Sequence, residues 1–186
     1  IKSNFDFLKD ERFQKVMGIF LLLFALYLVA SFISYLFNGH IDQDKIGILT
    51  QEINNIGGYL GHQLAHNFLF KWFGVSSFII PLLLMNIGIR LSSSKKIFSI
   101  KKSLFTGLVF LLWISLTFGF FGKASILGGV FGSELNTFLN TLMGKIGTGL
   151  ALFLTLATFI IVKFNPKFRK SNPEDLYEID LEEEKD

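Results

Sequence analysis

The chain has 186 residues, a formal net charge of +3 and no cysteine, and 51% of its side chains are hydrophobic, with 23 Phe among them. Without cysteine it can form neither a disulfide framework nor a thiolate metal site. Apolar residues in this proportion could fill a large soluble core, so their distribution along the chain decides the class of protein.

The apolar residues are concentrated in four uncharged blocks, each bounded by a basic residue or a histidine. A helix needs roughly 20 apolar residues to cross a hydrocarbon core of about 30 Å, and all four blocks fall near that length. The first block is longer than the apolar region of a secretory signal, which disfavours cleavage. We therefore predict an all-α integral membrane protein with spans at about residues 16–37, 72–90, 103–122 and 146–163.

Lys and Arg are unevenly distributed between the connecting segments, and this bias sets the orientation of a membrane protein. The N-terminal segment 1–15, the connection between the second and third spans, and the start of the tail are rich in them. The segments 38–71 and 123–145 hold only two lysines each. This pattern predicts cytoplasmic termini, a membrane domain over residues 16–170, and two outer segments at 38–71 and 123–145.

The last 16 residues, 171–186, carry eight acidic residues against one basic residue. A segment of this composition cannot bury enough apolar surface to order itself, so we predict the disordered start of a linker. A linker implies a further part of the protein beyond it, and we expect this chain to be a fragment of a longer one.

The pattern G-G-x-x-G-x-x-L occurs at residues 57–64 and again at 128–135, each time just before an even-numbered span. A Phe-Leu pair and then a further glycine follow both copies. We predict two parallel hairpin repeats, each with an outer amphipathic helix after its GGxxG motif. We interpret the glycines as structural turns in preference to close helix contacts. The glycines of this structural motif are Gly57, Gly58, Gly61 and Gly74 in the first half, and Gly128, Gly129, Gly132 and Gly144 in the second.

The two halves differ on the predicted outer face. Residues 38–56 have no counterpart in the second half and are interpreted as an outer insertion. In the first outer helix, Leu60, Leu64 and Phe68 recur four residues apart as the apolar face. His62 and His66 then share the opposite, water-facing side.

Little in the sequence points to chemistry. His62 and His66 have the spacing of a two-histidine metal site, but no third ligand has suitable spacing, so we predict two solvated histidines. Inside the uncharged blocks of the spans there is no Asp, Glu, Lys or His, which disfavours an ion-coupled carrier. We expect Asn86 to form an interhelical hydrogen bond and Pro81 to produce a local kink. No phosphate-binding loop or catalytic triad is present, so no catalytic, cofactor-binding or metal residue is predicted.

Taken in order, these features resemble the N-terminal four-helix membrane domain of the FtsK/SpoIIIE family of bacterial DNA translocases. The resemblance rests on the two GGxxG motifs, on the second span Trp72-Phe73-Gly74-Val75-Ser76-Ser77-Phe78-Ile79-Ile80-Pro81, and on the Gly88-Ile89-Arg90 that ends it. Pro81 and Arg90 join the glycines as structural motif residues.

The resemblance implies a non-enzymatic domain that anchors a motor at the division septum of the bacterial inner membrane, where the motor acts in cell division and chromosome partition. It implies a homo-oligomer, a hexamer by family resemblance, in contact with membrane lipid and other septal membrane proteins. DNA, ATP and Mg²⁺ would be bound only by a motor domain beyond this chain. The alternative is a small multi-pass transporter or channel with a path between the two repeats.

Overall fold

The computed structural model describes residues 10–39, 53–93, 99–122 and 125–164, and every regular element within them is helical. Parts of the predicted outer insertion, residues 40–52, and the whole predicted linker, residues 171–186, lie outside the described residues. The elements in chain order are α1 (Glu11–Asn38), α2 (Gly58–Ala65), a π-helical turn (His66–Trp72), a 3-10 turn (Gly74–Phe78), α3 (Ile79–Ser93), α4 (Ile100–Phe121) and α5 (Ser125–Phe164).

Four helices are long and apolar enough to cross a membrane: Glu11–Asn38, Gly74–Ser93, Ile100–Phe121 and Ile126–Lys163. At most 28% of the most apolar window of each is buried within the chain. Most residues of each window therefore keep some accessible surface, and those of the second span are mostly half-buried. The prediction of four spans is confirmed.

The first span begins at Asp10, whose carboxylate accepts a hydrogen bond of 2.8 Å from the backbone N–H of Arg12. This N-cap satisfies one of the free N–H groups of the first turn. Farther along, α1 packs along α3, and Gly18 and Gly88 lie in close contact between the two helices. A Cβ at Gly18 would lie 2.7 Å from the carbonyl oxygen of Gly88, so both positions must be small.

Two glycines interrupt the long helix α5. Gly129 has φ 69° and ψ 171°, and Gly144 has φ 74° and ψ 167°, values that are not helical. The run therefore consists of a connecting helix over residues 130–143 and a span that starts after Gly144. Breaks of this kind divide one helical run into separate rods.

The chain divides into two compact units, Ile1–Gly149 and Leu150–Asp186. In the second unit, helical through Phe164, the hydroxyl of Thr155 donates to the carbonyl of Leu152 and Lys163 lies over the ring of Phe159. The first unit holds the core and every feature of the candidate site. Its buried core joins α1 to α2 and the π-helical turn, which together we name the first connecting helix. The core residues are Leu28, Phe32, Tyr35, Ala65 and Leu69.

Pro81 lies in the first turn of α3, directly after the 3-10 turn. The N–H groups of a first turn have no partner inside an α-helix, so the missing N–H of proline costs little there. Pro81 thus lies where the α-helix of the second span starts, and the local kink stays a prediction.

Candidate functional site

The candidate site comprises two connecting segments, which we name the first glycine segment (residues 53–74) and the second glycine segment (residues 125–144). In each, one glycine starts the connecting helix and another ends it. These leading glycines (Gly58, Gly129) and trailing glycines (Gly74, Gly144) have φ between 62° and 74°. Only glycine adopts such backbone angles without strain, so each position fixes a turn.

The remaining glycines of the first motif make a close contact with α1. A Cβ at Gly57 would collide with the hydroxyl of Ser31, and one at Gly61 would lie 2.5 Å from it. Gly57 and Gly61 are four residues apart, the G-x-x-x-G spacing that lets helices approach closely in membranes. Ser31 is fully buried in this notch.

The second motif makes the same kind of contact with α4. A Cβ at Gly132 would lie 2.7 Å from the hydroxyl of Ser115, and one at Gly128 would lie 2.9 Å from its carbonyl oxygen. Gly119, one turn along α4, is equally close to the backbone of Gly132. Our interpretation of the glycines as turns was therefore incomplete, because the second glycine of each motif forms a turn while the first and third form a close contact.

The carbonyl of the first motif glycine is satisfied from a spanning helix in both segments. The hydroxyl of Tyr27 donates to the carbonyl of Gly57 over 2.7 Å, and that of Ser115 donates to the carbonyl of Gly128 over 2.7 Å. At Gly57 the hydroxyl adds a second bond, because the same carbonyl also accepts the N–H of Gly61 over 3.1 Å. Each glycine segment is thus tied to the span before it by an equivalent bond.

One face of α1 holds the first glycine segment through further polar contacts. Ser34 accepts a 3.0 Å hydrogen bond from the N–H of Ile56, and Asn38 donates to the carbonyl of Asn54. Asn55 donates its Nδ2 to the carbonyl of Ser31 and accepts the N–H of Gly57. These bonds fix the turn before α2, and the bond from Ser115 of α4 to the carbonyl of Gly128 holds the start of the second glycine segment.

The two glycine segments meet at one point, which we name the intrachain joint. The trailing glycine of the first segment, Gly74, lies against the leading glycine of the second, Gly129. A Cβ at Gly74 would lie 2.6 Å from the nitrogen of Gly129, and one at Gly129 would collide with the carbonyl of Trp72. The rings of Phe73 and Phe131 cover the joint edge to face, with centroids 5.4 Å apart. The backbones touch directly because neither glycine has a side chain.

The structure contradicts our prediction of solvated histidines. His62 and His66 are 1% and 6% exposed and face α1, whereas Leu60, assigned to the buried apolar face, is 69% exposed. The hydroxyl of Tyr35 and Nδ1 of His66 share a hydrogen bond of 2.9 Å. The helix turns its less apolar side to the protein, because hydrocarbon solvates the leucine side at least as well as the core does.

Burial also affects the charge of His66. Desolvation lowers its pKa below the ordinary value of 6.5, and the nearby positive charges of Lys71 and His62 lower it further. The imidazole is therefore neutral at neutral pH, which suits its hydrogen bond to Tyr35 inside the core cluster.

The π-helical turn accounts for a difference in length between the two segments. The interval from Gly58 to Gly74 is one residue longer than that from Gly129 to Gly144. In the first segment the N–H of Phe73 bonds the carbonyl of Phe68, five residues back, over 3.0 Å. A π turn holds one more residue than an α turn, so both trailing glycines can end their helices in equivalent positions.

Other polar groups suggest little chemistry. The predicted interhelical hydrogen bond of Asn86 is not found in the described part of the chain, where its Nδ2 is buried without a partner. Asn140 donates to Asn136 over 2.7 Å in the second glycine segment. Among residues 10–39, 53–93, 99–122 and 125–164, no three His, Asp or Glu side chains converge as a metal site would require.

An apolar groove of about 380 Å³ lies between the 3-10 turn and α4. Val75, Trp113 and Phe118 are among its lining residues. The hydroxyls at its edge, from Ser76 and Thr117, are already bonded to backbone carbonyls of their own segments. The groove therefore offers apolar surface and no free polar group to recognise a polar ligand.

Sequence reasoning missed Ser31 and Ser115, yet a signal for them was present. The first and third glycines of each motif have G-x-x-x-G spacing, whereas the prediction considered only the second and third glycines, which are three residues apart. Likewise, Tyr27, Ser31, Ser34 and Asn38 recur three or four residues apart on one face of an otherwise apolar helix. Polar residues with that periodicity in a span indicate a protein-facing surface.

The helices and the segments between them define a multi-pass helical membrane protein. Within that class, the family model of the 4TM region of DNA translocase FtsK/SpoIIIE matches residues 10–170, a range that includes all four candidate spans and both glycine segments. The chain therefore belongs to this family, and the resemblance seen in the sequence is confirmed. No curated protein and no solved structure matches the chain.

Proposed function

We propose that this chain is the membrane-anchoring and septum-targeting domain of a DNA translocase that acts in cell division and chromosome segregation. The observation that carries the proposal is the family match over residues 10–170. The domain lies in the bacterial inner membrane with both termini in the cytoplasm, as the distribution of Lys and Arg favours. Its function is to hold a cytoplasmic motor at the place of division.

The contacts of the glycine segments support this proposal. Both segments pack by the same serine-to-glycine contact, and the intrachain joint locks one to the other, which favours an organisation of two parallel hairpin repeats. A packed unit of this kind suits an anchor, which must resist force transmitted from a motor. The chain itself has no enzymatic activity in this proposal, and ATP, Mg²⁺ and DNA are bound by a motor domain beyond it.

The partners of such an anchor are membrane lipid, further copies of itself and other septal membrane proteins. The exposed apolar surfaces of the spans provide the contact with lipid. The two glycine segments, on the outer face in this orientation, are the surfaces available to septal proteins there.

The proposal can be tested by localisation. The chain, fused at its C-terminus to a fluorescent protein and produced in a rod-shaped bacterium, is expected to concentrate in a band at the septum. An unrelated four-span protein with the same fusion serves as the control and should label the whole envelope. Uniform labelling by both fusions would refute the targeting role, and ATP hydrolysis by the purified chain would refute its non-enzymatic character.

One observation favours the alternative of a small transporter or channel. Asn86 places a buried amide nitrogen without a described partner in the second span, where polar groups can mark a substrate path. Flux of a small solute into liposomes containing the purified chain, abolished in Asn86→Leu, would support that alternative. We expect no flux above empty liposomes, because the described groove is apolar.

A further inference from the structure

The intrachain joint uses only half of the turns that the two glycine segments provide. It joins the trailing glycine of the first segment, Gly74, to the leading glycine of the second, Gly129, and both are buried. Each segment has one leading and one trailing glycine. One leading glycine, Gly58, and one trailing glycine, Gly144, are therefore left outside the joint.

These two glycines share the positive φ angle of the joint glycines but do not contact another glycine segment. Gly58 has φ 62° and Gly144 has φ 74°, so both form the same kind of turn as Gly129 and Gly74. Both are exposed. Apart from the adjacent backbone of the chain itself, no described atom lies within 4 Å of the place where a Cβ would stand on either one.

The residues around these free turns also correspond to those of the joint. Met143 precedes Gly144 as Phe73 precedes Gly74, and Leu60 follows Gly58 at the distance at which Phe131 follows Gly129. Phe73 and Phe131 pack on each other in the joint. Met143 and Leu60 are both apolar and are 47% and 69% exposed.

Two further positions complete the correspondence. Ile56 stands before Gly58 where Leu127 stands before Gly129, and Leu142 stands before Gly144 where Trp72 stands before Gly74. The carbonyls of Leu127 and Trp72 are the groups that approach the glycines of the joint. Ile56 is 80% exposed and Leu142 is 64% exposed. Every component of the joint thus has an exposed counterpart on the same chain.

We propose that a second copy of this chain docks here, with Gly144 of one copy against Gly58 of the next and Met143 packed on Leu60. The interface would repeat the intrachain joint between chains, and this continuity favours a second copy over lipid or an unrelated protein as the occupant. Because the two surfaces differ, the contact is head to tail, and it closes a ring if the rotation between copies permits. The inference specifies the contact with further copies of the chain that the proposed function names. It rests on the contacts of the intrachain joint, so it can hold or fail independently of septum targeting and of a motor.

The absence of cysteine from the chain permits a direct test. The variant Leu60→Cys/Met143→Cys, purified in mild detergent, is treated with a short bis-maleimide and analysed on a denaturing gel. The proposal predicts a ladder of dimers, trimers and larger products, which ends at the number of copies in the ring. A mixture of the two single variants should give dimers and no larger product, because each chain then carries only one cysteine.

Matched controls separate this interface from misfolding and from random collision. Phe73→Cys/Phe131→Cys should crosslink within one chain and stay at the size of the monomer on the gel. This intrachain product also reports that the two glycine segments are folded. In the second control, Leu60→Cys/Phe138→Cys, the cysteine at 143 is moved to Phe138, which is 58% exposed on the same helix over residues 130–143. Its crosslinked products measure the background from random collision between chains. The proposal is overturned if the test pair gives no more multimer than this collision control. It is also overturned if either single variant alone forms dimers, because that would indicate a symmetric face-to-face contact.

Discussion

Glycine acts in two physically distinct ways within each motif. At Gly57, Gly61, Gly128 and Gly132 it removes a side chain so that a serine and its helix can approach. At Gly58 and Gly129 it permits a backbone turn, and at Gly129 it does both. Substitution effects should therefore depend on which of the two roles a position has.

Gly129 and Gly144 provide a matched pair to test this distinction, because their φ and ψ angles agree within a few degrees. Alanine at either position incurs similar backbone strain, but only at Gly129 does the new Cβ also collide, with the carbonyl of Trp72. We expect Gly129→Ala to lower the free energy of unfolding by about 1 to 3 kcal/mol more than Gly144→Ala, the usual cost of overpacking. Thermal unfolding of the monomer in detergent, followed by circular dichroism, provides the comparison. Equal losses would contradict the joint.

His66 makes stability depend on pH in a defined direction. Its pKa is below 6.5 in the folded chain because the imidazole is buried, and it returns to the ordinary value when the chain unfolds. As the pH falls below 6.5, the unfolded chain takes up its proton first, so the folded state loses stability through the lowered pKa. Above 6.5 the contribution of His66 is fully present.

We therefore expect the unfolding midpoint of the wild-type chain to fall as the pH is lowered from about 6.5 to about 5, the acid side of the range in which histidine titrates. The variant His66→Gln keeps a polar side chain near Tyr35 but cannot titrate, so its midpoint should vary less over that range. Parallel profiles for the two proteins would show that the acid sensitivity has another origin.

At the scale of elements, the two connecting helices run between equivalent glycines but differ in length by one residue. Both must start at a leading glycine and place a trailing glycine where the next span begins. The first segment accommodates its extra residue in the π-helical turn His66–Trp72, while the second is continuously α-helical between Gly129 and Gly144. A single-residue difference is absorbed because a π turn is local and leaves the helix on either side in register.

Deletion of one residue from each connecting helix should have different effects on stability. Lys71 and Thr141 are both exposed and both lie three residues before a trailing glycine. Deleting Lys71 should convert the π turn to an α turn and leave the joint intact, whereas deleting Thr141 rotates the end of an α-helix by about 100° relative to its start. We expect the Thr141 deletion to lower the unfolding midpoint more. The reverse order would mean that the π turn is not the site of the extra residue.

How much of this fold could be predicted depends on which forces act at each position. The four spans were predictable because length and freedom from charge are properties of local sequence. The buried face of α2 was not, because the prediction assumed water outside the helix. In a segment joined to membrane spans, an exposed Leu60 carries no cost in contact with hydrocarbon, and His62 and His66 are the buried residues. A helical-face argument that assumes water outside fails for such a segment.

The joint between Gly74 and Gly129 was also beyond prediction. Both glycines were identified from the repeat, but nothing in either copy states that the end of one meets the start of the other. Long-range contacts between backbone atoms leave almost no trace in side-chain pattern. The G-x-x-x-G spacing, in contrast, was readable and was overlooked.

For the whole molecule, the proposed organisation of two parallel hairpins rests on the intrachain joint, where the end of the first glycine segment meets the start of the second. Every contact of that joint lies within the unit Ile1–Gly149. The free turns at Gly58 and Gly144 would extend the same contact from one chain to the next. The orientation of the hairpins in the membrane is the claim on which the proposed anchor depends.

A topology map tests that claim most directly. Reporters that are active only in the cytoplasm or only outside it are inserted at the N-terminus, within residues 94–98, within residues 40–52, between residues 123 and 124, and at the C-terminus. We predict cytoplasmic activity at both termini and at 94–98, and external activity at the other two sites. External activity at either terminus, or activity on the same side at 40–52 and 94–98, would contradict two parallel hairpins anchored for a cytoplasmic motor.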